Sequence, residues 1–250
     1  MSRNIFAPYD AHARTDAETK WGILFDLCAI TGQGPHQDQM NKAFPDFVES
    51  ANPEYEMVEA ALWCFIRDRY GWAIPTGETL DTIANQHKNE PIVEIGCGSG
   101  YVSACLKARG AAIRATNAPG TKWDKWWFHK FFDAETALAS EISYDPTAYV
   151  MIMPDHDGAG EDMMAEALSR MPIGTTLYLY APEECSGSEA GNAWLQLNFS
   201  NLGSLPMLNT MPTLGEEDNR RMIIWKKVRN IAPPDRLNQI PGIKRHPLKK

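Results

Sequence analysis

The chain is poor in the residues that organise small or metal-held proteins. It has five cysteines in 250 residues, Cys28, Cys64, Cys97, Cys105 and Cys185, and none forms a Cys-x-x-Cys pair. The odd count and the spacing argue against a zinc site or a disulfide framework. The thiols read instead as small buried hydrophobes of a reducing compartment. No apolar run approaches the roughly 20 residues needed to cross a bilayer. The first residues, Met1 to Phe6, lack the apolar region of a secretory leader. The expectation is a cytoplasmic protein with no membrane partner. Basic charge is also scarce: 24 Lys and Arg face 32 Asp and Glu, for a net charge of −8. Sequence-independent nucleic-acid binding rests on basic surface, so bulk duplex DNA is a disfavoured partner. No internal repeat is visible. What remains, 44% hydrophobic residues with 10% aromatics, is the composition of a folded protein with a sizeable core.

Against these absences stands one informative segment, Pro91-Ile92-Val93-Glu94-Ile95-Gly96-Cys97-Gly98-Ser99-Gly100. It reads as a short buried strand entering a glycine-rich turn that opens a helix. Glycines admit positive φ and let a ligand approach the backbone, and the helix start offers free N–H groups. A phosphate-binding loop would need Gly-Lys-Ser/Thr, but Gly100 is followed by Tyr101 and Val102. A dinucleotide fingerprint, Gly-x-Gly-x-x-Gly/Ala, would place Tyr101 where helix and strand must pack closely, which disfavours NAD or FAD. Downstream, residues 101–109 have helical apolar spacing, Gly110 suits a helix C′ position, and residues 111–116 read as a second strand. Asn117 follows about 20 residues after the turn, where such folds set a residue against ribose hydroxyls. An acid is usual there; Asn117 retains hydrogen bonding without the charge assistance.

The acid two residues before the first glycine makes the segment resemble motif I of the class I S-adenosylmethionine (SAM) methyltransferases. The resemblance implies a glycine turn running under the methionine part of the cofactor. It also implies an acid that supports the loop or the cofactor's ammonium. Together with Tyr70-Gly71-Trp72-Ala73-Ile74-Pro75 and Glu184-Cys185-Ser186-Gly187, the segment resembles a little-characterised group of microbial and viral SAM-methyltransferase-like proteins, over residues 20–230. The fold expected is α/β: a Rossmann-like seven-stranded methyltransferase sheet with a helical N-terminal extension. The expected division is a helical region over 1–90, a SAM-binding domain over 91–230, and a flexible basic tail over 231–250. The tail is also open to contact with an acidic partner.

The pattern predicts helices over residues 19–30, 53–70 and 76–86 before the first strand. After it, strands and helices alternate, the signature of a parallel sheet. An edge element is expected near 128–132, then strands at 148–153 and 175–180. Helices are expected at 161–170 and 189–199, and an antiparallel pair at 205–211 and 221–228.

Ligands of a doubly wound sheet bind at the carboxyl ends of its strands. After the fourth strand comes Met153-Pro154-Asp155-His156-Asp157. DNA and protein amide methyltransferases carry Asn/Asp-Pro-Pro-Tyr/Phe there, and only Pro154 matches. Asp155 and His156 are the candidate catalytic pair. His156 can take a proton from an acceptor hydroxyl or amine while a neighbouring carboxylate orients the ring. The same loop is open to a metal-binding reading, or to a plain capping role with Asp157 or Asp162 on the next helix. Glu135, or Asp133, is a candidate for the adenine amino group, or else a helix-start acid. Trp123, Trp126, Trp127 and Phe128 suit either ring stacking or core packing. The candidate cofactor set is thus Glu94, Gly96, Cys97, Gly98, Gly100, Asn117 and Glu135, with SAM as cofactor and the methyl acceptor unidentified. The alternatives are a catalytically degenerate SAM-fold interaction protein and, less favoured, an NAD-type oxidoreductase.

Overall fold

The computed structural model describes residues 11–36, 38–39, 65–120, 129–154, 161–181, 187–208 and 220–233. Seven strands form one sheet: β1 (Pro91–Ile95), β2 (Ala112–Asn117), β3 (Glu135–Thr136), β4 (Ala148–Ile152), β5 (Thr176–Tyr180), β6 (Phe199–Pro206) and β7 (Arg221–Lys227). Their spatial order is β3-β2-β1-β4-β5-β7-β6. The first five run parallel, and β7 lies antiparallel to both β5 and β6. The helices are α1 (Ala11–Thr31), α2 (Gly77–Gln86), α3 (Tyr101–Ala108), α4 (Met163–Arg170) and α5 (Glu189–Asn198); residues 65–69 are also helical.

Strand alternation divides the core between two faces. Ile92, Val150 and Tyr178 point to one side, where Phe25 and Cys28 of α1, Leu80 and Ile83 of α2, and Cys105 and Leu106 of α3 cover them. Val93, Tyr149, Met151, Leu177 and Leu179 point to the other, under Met164 and Leu168 of α4 and Leu195 of α5. The described N-terminal helices therefore share a core with the sheet. A bridge between Pro75 and Met207 reinforces this, with the Leu208 N–H donating to the Ile74 carbonyl at 2.8 Å. Among the described residues no helix is long and apolar enough to cross a membrane.

The buried parallel strands β1, β4 and β5 fall where the apolar runs place them, because strands covered on both faces read as continuous hydrophobic segments. Two edge strands depart from expectation. The third strand is Glu135–Thr136, with both residues exposed, and not a segment near 128–132. The sixth begins at Phe199, directly after α5, instead of at 205. Four consecutive residues of β6, Ser200 to Gly203, are exposed, with an irregularity between Asn201 and Gly203. An edge strand need not bury a face, so hydrophobic periodicity leaves it unmarked.

Candidate functional site

The glycine turn joins β1 to α3 at the carboxyl end of the sheet. Gly96, Gly98 and Gly100 have φ of 70°, 57° and 74°, all in the left-handed region that favours glycine. At Gly100 there is a second reason for the residue: a Cβ would lie 2.6 Å from the Phe132 Cβ and 3.1 Å from its backbone nitrogen. At Gly96 a Cβ would meet the Met163 sulfur at 2.8 Å.

The turn is tied down on three sides. From β2, the Thr116 carbonyl accepts from the N–H groups of Gly96 and Cys97, at 2.9 and 3.0 Å. From the N-terminal region, the Tyr70 carbonyl accepts from the Ser99 hydroxyl at 2.5 Å. From the segment before β3, the Phe131 N–H donates to the Ser99 carbonyl at 2.9 Å. Cys97 is buried, and its thiol pKa is pushed well up, first by burial and then by the nearby Glu94.

Asn117 ends β2 and faces the turn. Its Oδ1 accepts from the Gly98 N–H and its Nδ2 donates to the Gly98 carbonyl, both at 2.9 Å. The side-chain amide thus pairs with both backbone polar groups of Gly98, as one base pairs with another. One Nδ2 hydrogen and one Oδ1 lone pair stay uncommitted to Gly98.

Glu94 is 3% exposed. Its Oε2 accepts from the Ser103 hydroxyl at 2.5 Å, and the carboxyl also interacts with the Ser103 backbone N–H. Ser103 lies in the first turn of α3, whose N-cap, Gly100, has no side chain to cap it. Glu94 therefore satisfies the helix start from the neighbouring strand, where an acid is favoured. Burial pushes its pKa up to about 7, against the opposing pull of the Ser103 hydrogen bonds.

Glu135 sits within β3, not after the third strand, and pairs with Arg114 at 3.3 Å. The segment after β3 is held by a residue that the sequence pattern does not single out. The Glu161 carboxylate accepts from the N–H groups of Ala139 and Ser140, at 2.5 and 3.4 Å. Asp162 caps α4, accepting from the Ala165 N–H at 3.0 Å. Asp155, His156 and Asp157 lie outside the described residues, as do Trp123, Trp126, Trp127, Phe128, Cys64, Cys185 and the tail beyond 233. The anchor preceding the candidate catalytic loop is described: Met153 has φ 52°, an uncommon conformation for a non-glycine residue. Its N–H donates to the Tyr180 carbonyl at 2.7 Å, and Pro154 accepts from the Gly187 N–H at 3.0 Å, which joins the ends of β4 and β5. Among the described residues no cluster of three or more His, Cys, Asp or Glu could hold a metal ion.

An aromatic group beside the turn comes from elements far apart in sequence. The Phe131 ring stacks on Tyr70 at 5.3 Å and meets Tyr101 edge-on at 5.2 Å. Phe25 of α1 lies 4.9 Å from Tyr70. The Tyr101 hydroxyl donates to the Phe25 carbonyl at 2.9 Å. Tyr101, too large for close helix–strand packing, is thus housed against α1. Its place in the core depends on the N-terminal helix, which a motif comparison does not contain.

No family model and no curated protein matches the chain. Solved structures do. A putative methyltransferase from an antibiotic biosynthesis pathway of Anabaena variabilis is 17% identical over 43% of this chain and 47% of its own, with a TM-score of 0.31. The SAM-bound magnesium protoporphyrin IX methyltransferase of Synechocystis is 16% identical over 61% and 78%, with a TM-score of 0.36. TrmN from Thermus thermophilus is 13% identical over 61% and 49%, with a TM-score of 0.38. The chain spans about half the length of the Anabaena and Thermus proteins, 47% and 49%. The strand order, with its reversed seventh strand, defines the class independently: a Rossmann-like methyltransferase fold.

Proposed function

We propose that the chain is a SAM-dependent methyltransferase acting on an acceptor that is not yet identified. The observation that carries this reading is the left-handed glycine turn between β1 and α3, clamped by Asn117, at the carboxyl end of a methyltransferase-type sheet. When bound, SAM supplies an electrophilic methyl on a sulfonium, which passes to a nucleophile by in-line displacement. Few catalytic groups are needed when proximity and orientation supply most of the acceleration.

The residues present fit such a cofactor. The positive-φ turn through Gly96, Gly98 and Gly100 is proposed to run under the cofactor, with Gly96 packed against Met163 and Gly100 against Phe132. Asn117 fixes that turn through Gly98 and is proposed to face the ribose side. Glu94 supports the loop: its carboxyl is buried against Ser103, which favours this role over direct contact with an ammonium. Cys97 is buried within the turn. Glu135 is proposed for the adenine side, sharing its carboxylate with Arg114. Asp155 and His156 are proposed to bind the acceptor, with His156 receiving its proton. The net charge of −8 favours acceptors other than bulk duplex DNA.

Isothermal titration calorimetry with SAM, S-adenosylhomocysteine and NAD tests the reading. Micromolar binding of the first two and none of NAD is expected. Absence of binding by all three would leave the turn a structural feature and favour a non-catalytic interaction protein.

A further inference from the structure

Away from the strand ends, α1 and α3 bring two thiols together. Cys28 Sγ and Cys105 Sγ are 3.5 Å apart, and both residues are fully buried. They are separated by 77 positions in sequence, so only the docking of α1 on α3 makes them neighbours. A cation attends them. The Arg109 guanidinium donates from Nη1 toward Cys28 Sγ at 3.7 Å and to the Cys105 carbonyl at 3.1 Å, and from Nη2 to the Gly34 carbonyl at 2.7 Å. Asp81 holds Nε at 2.7 Å and fixes the plane of the group.

We infer that Cys28 and Cys105 form an oxidisable dithiol, a modification site for peroxide that converts to a disulfide tying α1 to α3.

The two thiols are not equivalent. When protonated, Cys28 donates to the Gly34 carbonyl at 2.5 Å. When ionised, it accepts from the Cys105 thiol and from Arg109. These contacts hold its pKa down to about 7, the Cys105 hydrogen bond being the largest influence and burial opposing it. Burial keeps Cys105 protonated, with a pKa well above the ordinary thiol value. Cys28 is thus the attacking sulfur and Cys105 the resolving one, a division that suits peroxide chemistry. The Cys28 thiolate attacks one peroxide oxygen; the O–O bond breaks, giving a sulfenic acid and hydroxide, which takes up a proton to become water. Cys105 sulfur then attacks Cys28 sulfur. The S–O bond breaks, and the departing hydroxide leaves as water with the Cys105 proton. Two thiols lose two electrons and two protons, and one peroxide becomes two waters. The sulfurs need close by only about 1.5 Å to reach bonding distance, roughly 2.05 Å. Because both are buried, a small oxidant has an advantage over a bulky disulfide. The site does not rest on the methyltransferase reading.

The full chain is treated with hydrogen peroxide, alkylated, digested without reduction and mapped by mass spectrometry. A Cys28–Cys105 linked peptide is expected as the main product, two mass units below the sum of its reduced parts. The melting temperature should rise by about 5 °C or more, since the bond closes a long loop. Reduction should reverse the rise, and C28S and C105S should each abolish it. Peroxide consumption that leaves both thiols alkylatable, or that links either to another cysteine, would overturn the inference. The mapping on unmodified sequence stands even where a variant fails to fold.

Discussion

Asn117 and Gly98 form a two-bond pair, side-chain amide against the N–H and carbonyl of one residue, with both distances at 2.9 Å. An acid at position 117 would accept from the Gly98 N–H, but its second oxygen would face the Gly98 carbonyl. The amide is thus the side chain that satisfies both the N–H and the carbonyl of Gly98. Asn117→Ala should cost about 1–3 kcal/mol of stability and weaken SAM binding roughly tenfold or more, about 1.4 kcal/mol. Asn117→Asp should fall between wild type and Ala. Chemical denaturation and calorimetry read the two effects separately; an unchanged unfolding midpoint in the Ala variant would mean that the pair does not hold the turn.

Glu94 gives the folded state a pH dependence of defined sign. Its folded pKa, about 7, lies above the ordinary 4.5, so the folded state binds more protons between these values. Its contribution is fully present below about pH 4.5 and is lost as pH rises through 7. Glu94→Gln keeps an oxygen for the Ser103 hydroxyl and removes the buried charge. The variant should lose this fall in stability, which amounts to as much as about 3 kcal/mol, and should exceed wild type at pH 8. Melting curves from pH 5 to 8 decide it, and parallel curves for the two proteins would show that Glu94 does not titrate there.

Gly100 and Gly96 differ in what surrounds them. Alanine at either takes on a left-handed φ costing about 1–2 kcal/mol. At Gly100 the new methyl also strikes Phe132 near its backbone, whereas at Gly96 it meets the sulfur of the flexible Met163 side chain. Gly100→Ala should therefore destabilise more than Gly96→Ala. A reversed order in urea denaturation would contradict the packing at residue 132.

Lys227 is 1% exposed and donates to the Leu168 and Ser169 carbonyls at 2.7 and 3.2 Å, closing the C-terminal end of α4. Burial lowers its pKa from 10.5 to about 8. Between these values the unfolded chain binds more protons, so stability attributable to this group rises with pH from about 8 toward 10.5. Lys227→Met should flatten that rise; a slope that persists belongs to another group.

His156→Ala should reduce methyl transfer by about 100-fold or more, the usual scale for a general base, and leave the SAM dissociation constant within a factor of about two. Equal losses of turnover and binding would assign His156 to the cofactor side.

Much of the site's frame is legible in the chain. Ile92, Val93 and Ile95 mark a strand buried on both faces, and Gly96, Gly98 and Gly100 mark a backbone that turns through positive φ. Both are local properties, set by side-chain hydrophobicity and by the absence of a Cβ. Edge strands are less legible: Glu135–Thr136 is exposed at both residues and carries no apolar signal.

The sequence by itself determined the strand, the glycine turn and the helix, because each follows from steric and burial rules acting over a few neighbouring residues. Only the tertiary structure decided how the polar side chains are used. Asn117 spends its amide on Gly98, Glu94 gives its carboxyl to Ser103, Glu161 holds the segment after β3, and Cys28 meets Cys105. Hydrogen-bond partners are chosen by proximity in space, and proximity between distant positions exists only once the sheet and its helices have packed.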